Sequence, residues 1–406
     1  METADLNPKI ATSSCHKLAI SWLTMFVVGS DLFVVSPLLP LIAADYAIPL
    51  ASAGLSMTIF SVSYMLSAPL LGRLADRIGR GRMLRYCLCA FGAANLLTAI
   101  AGNLVWLLAA RCFAGAAAAG VSPSVYALIG TAARPDRRAT WLAVAVSGLL
   151  MSLSLGAPIG LLAAASLGWP AVFAGLGIFG LVLAWANNRA WDHSDGGGSP
   201  VASANRLAAA AVCARLAPTV AWSTAVYTMY IYLGDGLASF GYSTEEIAEV
   251  ILFYGCGALS GALIGGRLAD RFGARLTGAF ALGGLGLCVL LLRLALDSAV
   301  LVDFAFAVSS FAAQLFFPAQ QIKLANDFPA SRATILAWNN SALFLGISLG
   351  SLIGAQALWL GGFDANLMVS ATIASVSWIM HQRDRWDQAA AVFTQPPRSS
   401  GMQGAR

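Results

Sequence analysis

The chain has 406 residues, of which 58% are hydrophobic and only 11% charged, with a net charge of +5. Soluble domains carry about a quarter charged residues, so this composition excludes an ordinary soluble globular protein. Apolar runs of roughly 20 residues, separated by short breaks, mark membrane-spanning helices, and the chain reads as an all-α integral membrane protein.

In chain order the predicted helices lie near 17–44, 51–71, 83–101, 104–131, 140–167 and 170–189, then 216–240, 246–266, 276–296, 299–324, 334–360 and 364–381. The first run is too long for a signal-peptide core and is expected to persist as helix 1. Of the 24 Lys and Arg residues, all but Arg111 and Arg293 fall at the termini or in the even-numbered connections. Acids such as Asp45, Glu245, Glu246, Glu249 and Asp364 gather in the odd-numbered ones. Under the positive-inside rule both termini are cytoplasmic. The +5 charge is thus explained by orientation and implies no nucleic-acid partner. The cysteines are scattered as small apolar residues without metal or redox spacing. His16, His193 and His381 flank apolar runs, so no metal site and no cofactor is expected.

The phrase "GRLADRIGR" (Gly72–Arg80) returns 194 residues later as "GRLADRFGA" (Gly266–Ala274). At the same offset Arg138-Ala139-Thr140 returns as Arg332-Ala333-Thr334, and "SLGAPIG" (Ser154–Gly160) as "SLGSLIG" (Ser348–Gly354). Three matches at one offset predict two pseudo-symmetric six-helix bundles, 17–189 and 215–382. A cytoplasmic segment 1–16 precedes them. A linker 190–214 containing "SDGGGSP" joins them, and a tail 383–406, expected to be disordered, follows. Parallel repeats of this kind place a substrate path between the halves, near the bilayer midplane.

The repeated phrase resembles the signature loop of the major facilitator superfamily. It is carried here by Gly72, Asp76, Arg77, Gly79 and Arg80, and in the second copy by Gly266, Asp270, Arg271 and Gly273, with Ala274 where an arginine is usual. "ARCFAG" on helix 4 resembles the conserved-arginine motif of the drug–proton antiporter branch. "GLLMSLSLGAPIG" on helix 5, with Gly148, Gly156, Pro158 and Gly160, is similar to that branch's antiporter motif, although Ala157 replaces a glycine. Together with "VVSPLLPLIAADY" on helix 1, the wording resembles bacterial efflux proteins of the arabinose-efflux and chloramphenicol-resistance type. The resemblance implies the twelve-helix major facilitator fold in a bacterial inner membrane. It also implies a proton gradient as energy source, a helix-5 segment that packs on helix 8, and a transporter able to work as a monomer on a small-molecule substrate.

A charge within the hydrocarbon costs about 2.5–3.5 kcal/mol on insertion scales. Asp31 lies about 21 Å along helix 1 from Lys17, and Arg111 about 12 Å inside Asn103 from the other face. Both reach a similar depth in a core about 30 Å thick. Asp31 therefore reads as the proton-titrating or substrate-competing acid and Arg111 as its partner. The same two residues also read as a structural pair orienting helices 1 and 4. Neither is repeated, since Ala225 and Ala305 stand 194 residues on. Arg293 and Asp297 read as a snorkelling pair, while Asp235 either faces the vestibule or marks the interface.

Tyr64, Asn95, Tyr126, Tyr227, Tyr230, Gln314, Trp338, Asn339 and Asn340 are candidate cavity residues, suited to a weakly polar solute. In the charged phrase, Gly72 is expected to give the tight exit from helix 2. Asp76 is expected to accept backbone donors at a nearby helix start and latch the cytoplasmic gate. The leading expectation is a proton-coupled exporter working by alternating access. An importer or facilitator on the same fold is the alternative. A membrane enzyme or receptor finds no catalytic cluster or soluble domain to support it.

Overall fold

The computed structural model describes residues 8–134, 137–191 and 209–394. Helices account for the architecture, and no strand occurs among the described residues. The first six helical segments are α1 (Pro8–Asp45), α2 (Leu50–Ile78), α3 (Arg80–Ala99), α4 (Leu104–Ala132), α5 and α6 (Trp169–Ala190). Segment α5 runs as Arg138–Met151, a π-helical turn Ser152–Gly156, and Ala157–Leu167. The second six begin with α7, made of Ala209–Tyr230 and Leu233–Ser239, followed by α8 (Thr244–Phe272), α9 (Ala274–Leu292) and α10 (Ala299–Asp327). The final stretch, Arg332–Thr394, is broken at Gly361 and Gly362, whose φ values are −163° and +66°. It therefore comprises two segments, α11 (332–360) and α12 (363–394).

Nine stretches among the described residues are long and apolar enough to cross a membrane, and one of them, Thr334–Gln382, runs across the break and takes in most of both α11 and α12. Segment α3, outside that set, is the most polar of the helices. Arg80, Arg82 and Arg85 open α3, and Arg215 with several Ser and Thr residues lies along α7.

Several boundaries differ from the sequence expectation. Helix α1 begins nine residues before residue 17, and α7 begins at Ala209, so only 192–208 of the linker lies outside the described residues. Helix α12 continues to residue 394, so the near half of the expected disordered tail is helical. Gly72 does not form the exit from α2; it lies inside the helix, with open space around it. The exit is Gly79, at φ +94°, and its counterpart Gly273 lies at φ +89°. These values belong to the left-handed region that glycine enters without a Cβ penalty. At the start of α8, Ser243 and Glu246 form a reciprocal capping box.

Within the first half, α1 packs on α5 and α6, and α3 packs on α6 where Gly92 and Gly177 face each other's carbonyls. Within the second, α7 packs on α11 and α12, and α8 on α10, where Gly257 and Gly261 admit the backbone of Ala307 and Phe311. Small residues at such crossings let membrane helices approach closely. The halves meet along α1–α7, α2–α11 and α5–α8. One end of the bundle carries the Arg-rich connections, and the other the acidic ones.

Candidate functional site

Asp31 and Arg111 form an ion pair. The Arg111 Nη1 donates to Asp31 Oδ1 at 2.6 Å, and neither side chain has any exposed surface. Segments α1 and α4 thus bring the two charges to one depth, as their spacing predicts. The Arg111 guanidinium also lies 4.5 Å from the ring centroid of Phe60 on α2 and 5.3 Å from that of Phe173 on α6. Asp31 Oδ2 and Arg111 Nε and Nη2 have no hydrogen-bond partner. Burial opposes both charges, so each depends on the other for neutralisation, and a change in the protonation of either leaves an uncompensated buried charge.

Just beyond Asp31, α1 meets α7. Ser36 Oγ donates to the Tyr230 carbonyl at 2.5 Å and lies 3.1 Å from that of Ile231, where α7 is interrupted. The Tyr230 hydroxyl donates back to the Phe33 carbonyl at 3.1 Å. Ser36 and Tyr230 are 194 residues apart, so each faces its own repeat counterpart near the axis relating the halves. Aromatic rings extend this seam: Tyr230 stacks on Tyr254 at 5.1 Å, and Tyr227, Phe33 and Phe306 meet the stack edge-on.

The repeated "SLG" segments flank the seam symmetrically. On α11, Ser348 Oγ donates to the Thr58 carbonyl and Ser351 Oγ to that of Gly54, both on α2. On α5, Ser154 lies against Gly255 of α8 so closely that a Cβ on that glycine would stand 2.2 Å from the Ser154 Cα. The helix-5 glycines themselves face elsewhere. Cβ atoms at Gly148, Gly156 and Gly160 would collide with Trp22, Ser30 and Val34 of α1. The α8 contact expected of that motif is made by the Ser152–Gly156 turn, where Ser154 is closest, and by the helix that follows it, while its glycines bring α5 onto α1 beside Asp31. Pro158 is buried one turn further on.

Tyr64 stacks on Phe344 across the halves, with ring centroids 3.6 Å apart, and lies near Tyr126 of α4. These residues, with Tyr227 and Tyr230, are brought together along the interface. Asn95 is not among them; it is fully buried within its half and donates back to the Phe91 carbonyl. Asn339 accepts from Thr219 of α7 at 2.7 Å and is also fully buried, so it ties α11 to α7. Trp338 is 56% exposed and stands apart from that cluster, while Asn340 and Gln314 are half-buried.

In the charged loop, Asp76 pairs with Arg80 one turn on, not with backbone donors at another helix start. The second copy cannot repeat this pair, because Ala274 replaces the arginine. Arg293 bonds Asp364 at 2.6 Å and lies 3.7 Å from Asp297, so it ties α9 to α12 as well as to its own turn. At the acidic end Tyr46, just past α1, donates to the Ala101 carbonyl at 2.6 Å. Burial, and then the neighbouring Asp45, push its phenol above the usual tyrosine value. Sequence reasoning missed Phe60, Phe173, Tyr254 and Phe344; rings inside apolar helices carry no periodic signal that separates contact from packing.

The family model described as Major Facilitator Superfamily matches residues 21–351 and 207–399. The chain is similar to the MFS-type transporter YbcL of Bacillus subtilis (strain 168), at 29% identity over 374 residues, 90% of this chain and 92% of that one. It is similar to the inner membrane transport protein YdhP of Escherichia coli (strain K12), at 25% identity over 373 residues, 87% and 92% of the two chains. A chloramphenicol resistance protein of Streptomyces lividans is 26% identical over 250 residues, 60% of this chain and 64% of that one.

Proposed function

This chain belongs to the major facilitator superfamily, and from that premise we propose that it is a secondary transporter exporting a small organic compound by proton antiport with alternating access. The observation that carries the reading is the fully buried Asp31–Arg111 pair, one turn from the α1–α7 seam. A carboxylate at that place gains or loses a proton only by changing how the guanidinium is neutralised. Protonation therefore weakens one arrangement of α1 and α4 relative to another, which is what coupling requires. The likeness to a chloramphenicol resistance protein supports export of an organic solute.

In this reading the Arg-rich end is cytoplasmic, both termini lie there, and the membrane is a bacterial inner membrane. Tyr64, Tyr126, Tyr227 and Phe344 line the path of a weakly polar solute. The α1–α7 seam and the "SLG" contacts close the outer side, and the Asp76–Arg80 loop serves the cytoplasmic gate. The energy source is the proton gradient, no cofactor takes part, and one chain is the working unit.

The test is solute movement driven by an imposed pH gradient in inverted vesicles, with a panel of antibiotics and sugars. Uptake into the vesicles that collapses with a protonophore, and that is lost in Asp31→Asn, is the expected outcome. Transport unchanged by either treatment would remove proton antiport. Accumulation by intact cells would reverse the direction.

A further inference from the structure

The Arg111 guanidinium has a second set of neighbours besides its carboxylate. Only Nη1 reaches Asp31, while Nε and Nη2 are buried without an acceptor. The central carbon of the guanidinium lies over the rings of Phe60 and Phe173, 4.5 and 5.3 Å from their centroids, and both rings are 1% exposed. The Phe60 ring is placed by the helix crossing beneath it. Gly115, one turn after Arg111 on α4, lies so close to α2 that a Cβ would stand 2.2 Å from the Phe60 carbonyl oxygen. The glycine of "ARCFAG" thus sets the distance at which Phe60 covers the arginine.

We infer that Phe60 and Phe173 are positioning residues which hold the Arg111 charge whenever Asp31 is protonated, and so set the pH at which the pair discharges. This rests on the proton-coupling reading of Asp31. A guanidinium that loses its carboxylate inside a membrane becomes an unpaired buried cation, the costliest state the pair can enter. Ring faces attract a cation through their quadrupole, most strongly where water is excluded. Two rings already in contact reduce that cost without any helix having to move first. Arg111 is the charged partner of Asp31. The described contacts of the pair from α2 and α6 are these rings. The titratable groups beside this cluster are Tyr64, one turn from Phe60 on α2 and stacked on Phe344, and Tyr230 of α7, whose hydroxyl donates to the Phe33 carbonyl two residues from Asp31. Segment α5 contributes the uncharged Ser152 beside Gly29 of α1.

The full-length protein, reconstituted in lipid nanodiscs, is titrated with the carboxyl band followed by infrared spectroscopy. The band absent from Asp31→Asn identifies Asp31, and no substrate is needed. In Phe60→Leu and Phe173→Leu the band is expected to titrate about one pH unit lower, roughly tenfold in proton concentration. Without the ring, discharge of the pair requires more acid. Phe60→Tyr, which keeps a ring face, is expected to restore the original midpoint. Pentafluorophenylalanine at position 60 keeps shape and apolarity but cancels the attraction, so it should shift the midpoint as leucine does, even if the leucine variants do not fold. An unmoved midpoint in the fluorinated protein overturns the inference, as does an Asp31 band that never titrates. Export persisting in Asp31→Asn would instead overturn the coupling reading, so the two failures are distinguishable.

Discussion

The two halves share one plan but fill its centre differently. In the first half, the positions where α1, α2, α4 and α6 converge hold Asp31, Phe60, Arg111 and Phe173. The positions 194 residues on hold Ala225, Tyr254, Ala305 and Leu367. The first set encloses two buried charges. The second has none, and Tyr254 turns into the aromatic stack against Tyr230. In the proposed coupling, one half would carry the group whose charge changes, and the other much of the apolar seam against which that change is read. A duplicated scaffold can divide the work in this way because helix placement depends on glycine contacts and turns shared by both halves, while the central side chains vary independently.

The largest effect should come from erasing half of the buried pair. Arg111→Leu leaves an unpaired carboxylate and is expected to cost about 3–5 kcal/mol, seen as a large fall in melting temperature in detergent. Replacing both charges, Asp31→Val with Arg111→Met, makes the first half resemble the second. It should recover most of that stability, because apolar side chains of similar size substitute well for a buried ion pair. Proton-driven transport should stay absent. Recovery of transport in the double variant would sink the division of labour described above.

The helix crossings give the next contrast. Gly255→Ala forces its methyl into the Ser154 backbone, which has no rotamer to give, so overpacking of about 1–3 kcal/mol is expected. The α5–α8 contact should open and the protein should leak protons in vesicles. Gly72→Ala and Gly266→Ala meet open space within helices and should be neutral or stabilising by about 0.5–1 kcal/mol. Thermal melts of all three variants measured side by side would decide whether the repeated phrase needs those two glycines for packing at all.

Tyr230→Phe removes the bond to the Phe33 carbonyl while keeping the stack on Tyr254. The expected cost is about 1 kcal/mol. A cysteine placed near residue 36 should react faster with a membrane-impermeant thiol reagent added from outside. An unchanged rate would show that the rings alone close this seam.

How far the sequence foretold these features depends on the kind of signal. Helix order, the two halves and the Asp31–Arg111 depth match follow from run length, the 194-residue offset and a fixed rise per residue. Direction around a helix is harder to read. The π-helical turn at Ser152–Gly156 inserts a residue into α5 and resets which side faces α1 and which faces α8. Gly148, before the turn, and Gly156 and Gly160, after its start, thus all face α1, while the same segment also packs on α8 as expected. Trp338 and Asn339 are adjacent in sequence yet separated by about 100° around α11, so one is exposed and the other bonded to α7. Gly72 and Gly79 are equally good turn residues on paper; only the helix that continues through residue 78 chooses between them.

The smallest effect tests the unequal loops. The Asp76–Arg80 pair is about a third exposed on each side, and exposed pairs one turn apart contribute only about 0.3–0.5 kcal/mol. Arg80→Ala makes the first loop match the second, and Ala274→Arg makes the second match the first. Melting temperature should barely change in either. If the pair serves the cytoplasmic gate, Arg80→Ala should free Asp76 to accept other donors, and labelling of a cysteine near that end should slow. Ala274→Arg should leave the rate alone, because its half keeps no counterpart of the Asp31–Arg111 charge pair for the loop to answer. Equal rates in all three proteins would reduce the charged phrase to an orientation signal, with no part in gating.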